Sequence, residues 1–273
     1  MQPTIELERG LEVPRLGYGT FQLDGDEAYD GVRTALEAGY RHIDTAQGYG
    51  NEAEVGRAVA DSDVDRADVF ITTKIKPSNA AAGDVVATTR ASMGQLGVDQ
   101  LDLLLLHWPA EHVAPLEETL AAMTKLWDDG ATRAIGVSNF PSAMLTRACG
   151  LAPIVTDQVE HHPYLGVDPI RSVLADEDGF LTAYSPLARG KVATDDTLIE
   201  LGEEHGVGPA QVTLRWMLQT PGTVAIPNSA TAERIRSNIE VFDFELSDEQ
   251  MQQVDALERG ERLIDPDGAP DWD

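Results

Sequence analysis

With 273 residues, 42% of them hydrophobic, the chain is long enough to bury one large α/β core and short for two domains. Its formal charge of −27 argues strongly against nucleic acid and anionic membrane surfaces as partners, and a lone cysteine, Cys149, excludes an internal disulfide. No basic segment leads into an apolar stretch at the N-terminus and no window has the length of a membrane span, so a soluble cytoplasmic protein is expected.

Residues 4–14 alternate around Arg9-Gly10 and predict a small hairpin. A first strand at 15–20 and a helix at 26–38, stopped by Gly39, follow. Strand two, 41–44, leads through Thr45 to Gly50 into a helix starting near Asn51. Strand three, 69–74, precedes a helix of 83–96 in which Val86, Thr89, Met93 and Leu96 share a face. The run Leu-Asp-Leu-Leu-Leu-Leu from Leu101 is a strand buried on both faces, closed by His107 and prevented from continuing by Pro109. Its helix spans 115–129. Strand five is Ala134–Ser138, with a helix from Pro141; strand six is Ile154–Val159, with a helix at 168–177. Strand seven, Phe180–Tyr184, precedes helical runs at 194–205 and 209–220, and strand eight, Val224–Ile226, a helix at 231–240. Eight βα units make a TIM (β/α)8 barrel, and a hairpin ahead of it would plug the bottom. The whole chain, 1–273, reads as that one domain. A surplus helix, 247–257, carries a capping box of Ser247 with Gln250 and an apolar stripe of Met251, Val254 and Leu257. The acidic tail, Asp265–Asp273, has Trp272 as its only large apolar residue.

In a parallel α/β barrel every strand C-terminus points to the face that holds the site. Asp44, Lys74 and His107 each close a strand, so they gather at one mouth. Burial would depress the Lys74 pKa unless a carboxylate pairs with it, and Asp44, one strand away, is the natural partner. Tyr49 lies on the loop leaving the Asp44 strand, where a neighbouring ammonium would lower its pKa and make it a usable acid. His107 would steady an oxygen held by Tyr49. Taken singly, each is as readily a structural ion pair, a core histidine or a loop tyrosine. Their shared face is what points to a proton donor built to meet a carbonyl oxygen.

Asp44-Thr-Ala-Gln-Gly-Tyr49-Gly-Asn-Glu52, Lys74, Leu106-His-Trp-Pro109, Ile135-Gly-Val-Ser-Asn-Phe140 and Ala183-Tyr-Ser-Pro-Leu187 resemble the aldo-keto reductase family, in order and in spacing. Ser185-Pro-Leu-Ala-Arg-Gly-Lys191 and Val241-Phe-Asp-Phe244 look most like its bacterial 2,5-diketogluconate reductase branch. The resemblance implies an NAD(P)H-dependent carbonyl reductase with a tetrad of Asp44, Tyr49, Lys74 and His107, in which Tyr49 protonates the carbonyl oxygen as hydride arrives from nicotinamide. It supplies the cofactor too, since no Gly-x-Gly-x-x-Gly follows any strand. By the same analogy Ser138, Asn139 and Gln158 bind the carboxamide and Tyr184 stacks on the nicotinamide. Thr20, Ser185 and Leu187 approach the pyrophosphate; Asn228, Ser229, Arg234 and Asn238 meet the adenosine end, with Asp44 also close to the cofactor. Phe21, Tyr49, His107 and Trp108 line the substrate pocket. NADP(H) is the expected cofactor, with some NAD(H) use and no metal, and the expected partner is a small aldehyde, ketone or keto-sugar met by a monomer.

Three departures stand out. Asn228 replaces the lysine of the family's Ile-Pro-Lys-Ser, Asp157-Gln158 replaces Asn-Gln, and the segment between Trp108 and Leu116 is short, so no particular substrate is implied. Two other readings compete: a Schiff-base aldolase using Lys74, and a non-catalytic nicotinamide-binding regulatory subunit.

Only four of the twenty basic residues are lysines, Lys74, Lys76, Lys125 and Lys191, against 47 acidic residues. Such a surface fits molar salt, where the Debye length falls to about 3 Å and self-repulsion is screened. The thermal midpoint is therefore expected to rise between dilute buffer and molar KCl in a melting experiment; a flat or falling midpoint returns the protein to the ordinary acidic class.

Overall fold

The computed structural model describes residues 2–7 and 10–273. Thr4–Leu7 (β1) and Leu11–Pro14 (β2) pair antiparallel, with Ile5 opposite Val13. Arg9 of the expected turn lies outside the described residues. Gly10, at φ +70°, occupies the left-handed region that a tight reversal uses.

Eight parallel strands follow: Tyr18–Gly19 (β3), His42–Asp44 (β4), Phe70–Ile75 (β5), Leu101–Leu106 (β6), Thr132–Ser138 (β7), Ile154–Glu160 (β8), Phe180–Tyr184 (β9) and Thr223–Ala225 (β10). Each pairs with the next in chain order. The sheet closes where Leu16 bridges Ala225: the Gly17 N–H donates to the Ala225 carbonyl at 2.8 Å and the Ala225 N–H to the Arg15 carbonyl at 2.9 Å. The helices are Gly25–Ala38 (α1), Glu52–Ala60 (α2), Ala82–Leu96 (α3), Leu116–Asp128 (α4), Ser142–Cys149 (α5), Asp168–Asp176 (α6), Asp196–His205 (α7), Pro209–Gln219 (α8), Ala232–Ile239 (α9) and Asp248–Asp255 (α10). The fold is the expected (β/α)8 barrel with an N-terminal hairpin and extra helices.

Every residue of β5 and β6 is buried, as helices on one side and the barrel interior on the other require. Each of the β6 leucines contributes roughly 1.5–3 kcal/mol by leaving water. Asp102, the polar exception, accepts from the Ile71 N–H at 2.9 Å and pairs with Arg66 and Arg133, each at 3.0 Å. Leu11 and Val13 of the hairpin join Phe70, Leu103, Phe180 and Val224 in one cluster that fills the barrel and seals its lower end. A larger apolar layer lies between the strands and the helices.

Departures from the expected elements are local. The first barrel strand shrinks to Tyr18–Gly19 plus the Leu16 bridge, because it must close against a three-residue β10. In α3 the buried stripe is Val85, Thr89, Ser92 and Leu96, whereas Val86 and Met93 are only partly buried at its edge. Ser92 sits inside because it donates to the buried Glu52 carboxylate at 3.1 Å, whereas the buried Thr89 hydroxyl has no partner among the described residues. The capping box at Ser247 and Gln250 forms in both directions, and Val254 is buried beneath α10. Among the described residues no helix is long and apolar enough to cross a membrane.

Candidate active site

The C-terminal ends of the strands open into a cleft of about 920 Å³. At its floor Asp44 ends β4 and Lys74 lies near the end of β5, two residues past the position paired with Asp44. The Lys74 ammonium, fully buried, donates to Asp44 Oδ1 at 2.5 Å, to the Thr45 carbonyl at 2.9 Å and to the Tyr49 hydroxyl at 3.1 Å. The second Asp44 oxygen accepts from Gln158 Nε2, across the barrel, at 2.8 Å. Both carboxylate oxygens and the ammonium are thus satisfied without water, which a buried pair requires.

Tyr49 is held by its loop. Gln47–Tyr49 form a single 3-10 turn, and Gly50, at φ +71°, reverses the chain into Asn51. The Asn51 side chain donates to the carbonyls of Thr20 and Leu23 at 2.9 and 2.7 Å and accepts from Thr45 Oγ1 at 2.8 Å. Gln47 reaches the other way, to the Lys76 N–H, Asn79 and Thr88. The Tyr49 ring meets His107 edge-on, centroids 5.5 Å apart, and Phe21 at 5.1 Å.

Electrostatics sort these groups. Burial alone would lower the Lys74 pKa, but Asp44 and Tyr49 outweigh it and hold the lysine charged, above its ordinary value. The expected fall of the Tyr49 pKa is corrected: burial raises it by more than the Lys74 ammonium lowers it, so the phenol stays protonated. Burial, then the Lys74 charge, push His107 down to about 3, leaving a neutral imidazole at physiological pH.

Beside the tetrad, Ser138 closes β7 and Asn139 follows it at φ +64°. The Asn139 amide donates to the His107 carbonyl at 2.9 Å and accepts from the Tyr184 hydroxyl at 2.7 Å; Ser138 Oγ donates to the Gln158 carbonyl at 2.7 Å. Ser185, Ala188 and Arg189 take positive φ as the chain rounds the cleft rim, and Arg189 lines it with Ser185 and Leu187. At the far end stand Asn228, Ser229, Arg234 and Asn238. Phe21 and Trp108 line the opposite part.

Two of the expected cofactor-contact residues also tie loops or strands together. Thr20 is not on the cleft wall: its buried hydroxyl donates to the Asp44 carbonyl at 3.0 Å, a tie between β3 and β4. Asn228 lines the cleft, but its Nδ2 donates to the Phe21 carbonyl at 2.7 Å and so ties the loops after β10 and β3. Lys74 is shut away from the cleft, and a Schiff base needs a neutral, reachable amine, so its environment opposes an aldolase.

Ile264 and Pro266 of the C-terminal tail also line the cleft, which sequence reasoning missed. The signal was Trp272: it packs edge-on to Trp108, centroids 6.1 Å apart, under the Arg262 guanidinium.

A charged lysine between a carboxylate and a phenol, at the mouth of a (β/α)8 barrel, defines a class of oxidoreductases acting on carbonyls. The Aldo/keto reductase family profile matches residues 15–259, and the chain belongs to that family, whose members are NAD(P)H-dependent carbonyl reductases. It is 42% identical to an aldo-keto reductase of Mycolicibacterium smegmatis over 96% of each chain. A solved structure described as a "putative 2,5-diketo-D-gluconic acid reductase B" superposes with a TM-score of 0.96 at 40% identity, covering 100% of this chain and 98% of the other. A Bombyx mori aldo-keto reductase in complex with NADP matches at a TM-score of 0.89 and 32% identity, covering 97% and 95%.

Asp157 turns to the face of β8 opposite Gln158. It is fully buried, Oδ1 is 3.5 Å from the Phe140 N–H and Oδ2 has no partner among the described residues. Burial raises its pKa well above the carboxylate range. The folded state then keeps a proton that the unfolded chain releases near pH 3.9, so this group's contribution is full below that value and is lost as pH rises toward the folded pKa. Asp157→Asn is expected to stabilise the protein at pH 8 by at least about 1 kcal/mol, with the gain vanishing near pH 4, in denaturant melts across that range.

Proposed function

We propose that this chain reduces a small aldehyde or ketone with Tyr49 as general acid and NADP(H) as preferred cofactor. The observation that carries the reading is the Lys74 ammonium held 2.5 Å from Asp44 and 3.1 Å from the Tyr49 hydroxyl. Ser138, Asn139, Gln158 and Tyr184 would hold a nicotinamide, which when bound would supply hydride for the carbonyl carbon. Tyr49 gives its proton to the carbonyl oxygen, turning it into an alcohol. Lys74 stabilises the phenolate left behind, with Asp44 keeping the lysine charged. His107, neutral at working pH, is no proton source; its role is to orient the carbonyl oxygen.

The cleft fits a dinucleotide by the chemistry of its lining. Amide and hydroxyl groups of Ser138, Asn139 and Gln158 suit a carboxamide beside Tyr184, and the Arg234 guanidinium suits a phosphate. Phe21, Trp108, Ile264 and Pro266 present apolar surface to the substrate's substituent. We read the enzyme as a cytoplasmic monomer adapted to salt.

Tyr49→Phe should lower kcat by roughly 10²–10⁴-fold and leave the cofactor dissociation constant within about twofold, because the acid is lost and the cleft is kept. Lys74→Met should be similarly slow. A Tyr49→Phe enzyme that keeps most of its kcat on a panel of aldehydes and keto acids removes Tyr49 from the role.

Cofactor choice turns on residue 228. A charge-assisted hydrogen bond is worth roughly 1.5–3 kcal/mol, so Asn228→Lys should tighten NADPH binding by about tenfold and leave NADH nearly unchanged, as read by fluorescence titration. An equal shift for both would mean that the substitution acts through the lost Phe21 tie, not at the 2′-phosphate.

A further inference from the structure

We propose that Glu160 is a positioning residue that fastens the C-terminal tail over the barrel mouth and so sets the wall a substrate's substituent meets. The proposal rests on the reductase reading for what the wall does, but not for how the tail is held. Beyond α10 the chain runs without regular structure to Asp273. Such a segment keeps a fixed path only where its backbone groups find partners.

Glu160 provides them. It is the last residue of β8 and is completely buried. It stands two positions beyond Gln158, on the same face of the strand. Its Oε1 accepts the Leu263 N–H at 2.9 Å and its Oε2 accepts the Ile264 N–H at 2.9 Å. His162, also buried, adds Nε2 to Oε1 at 3.1 Å, while the Arg262 guanidinium stays 3.9 Å from Oε2, outside hydrogen-bond range. Two consecutive amides on one carboxylate form an anchor that an amide side chain cannot copy. A glutamine has one acceptor oxygen and would turn its own N–H groups toward the second donor. Burying a carboxylate is costly unless it is paired in this way, so the residue is committed to the tail.

The anchor sits where it matters for the cleft. Ile264 itself lines the cavity, as does Pro266 two residues on. Upstream the tail is held by the Tyr164 carbonyl, which accepts from Arg259 and Glu261, and by the Lys191–Glu261 pair. Downstream it is held by Trp272 against Trp108 and by Asp273, which accepts from the Ser142 hydroxyl and N–H. Glu160 is the buried tie between these, next to the cavity-lining residues.

The test is Glu160→Gln in the full-length enzyme, with two readouts. Hydrogen exchange of the peptide containing Leu263 and Ile264 should speed up by about tenfold or more. This readout does not depend on catalysis, and it stays informative if the reductase reading fails. The ratio of kcat/KM for a small aldehyde to that for a bulky aryl ketone should shift by about fivefold or more, mostly through the ketone's KM. Leu263→Pro, which deletes one donor and leaves Glu160 in place, should produce the same shift in ratio; it serves if the glutamine variant does not fold. Unchanged tail exchange in a folded Glu160→Gln enzyme overturns the proposal. So does a ratio that stays constant in both variants while the exchange rises, because the tail would then be loose without affecting the wall.

Discussion

The ammonium of Lys74 is fully buried, and everything else at the mouth follows from keeping it charged. Burial works against that charge; Asp44 restores it, and Gln158 occupies the carboxylate oxygen that Lys74 leaves free. Breaking such a pair from one side costs about 3–5 kcal/mol. The three residues come from β4, β5 and β8, so the pair is satisfied only once the sheet has curled far enough to bring β8 across from β4. The geometry of the buried pair and the closure of the barrel therefore depend on one another.

The parts of this arrangement governed by local rules were legible in the chain. Buried parallel strands read as unbroken apolar runs, and a polar residue that ends such a run, as Asp44 and His107 do, must face the open end of the barrel. That rule is enough to bring Asp44, Lys74, Tyr49 and His107 to one mouth, where the structure places them side by side. It failed where a property depends on the sum of opposing terms. For Tyr49 the neighbouring ammonium was visible in the pattern, but the extent of burial was not, and burial prevails. The Thr20 side chain was likewise illegible in one respect: its hydroxyl turns to the Asp44 carbonyl, a tie that its place in the chain does not announce.

The tail was illegible for a different reason. It has no periodicity, so neither a 3.6-residue nor a two-residue pattern could place it. Its position is written instead in side chains far away in sequence, Glu160, Tyr164, Trp108 and Ser142, which hold its backbone and its end. Long-range ties of this kind leave a trace in the sequence only as isolated oddities: a glutamate at the end of a buried strand, a tryptophan in an acidic tail.

Charge raises a last question, since a chain of net charge −27 would have to attract a dinucleotide that is itself anionic. Much of the surface cation content is already spent: Arg147 on Glu111 and Glu117, Lys125 on Asp129, Lys191 on Glu261. Among the described residues Arg189 and Arg234 have no such partner, and both line the cleft. Unpaired cations in a concave, low-dielectric site act strongly at contact range, while distant surface carboxylates act over a Debye length. At about 0.15 M salt that length is roughly 8 Å, and near 1 M it is roughly 3 Å. Added salt therefore silences the surface before it silences the cleft, and an acidic coat and a cleft lined by unpaired arginines can coexist on one small protein.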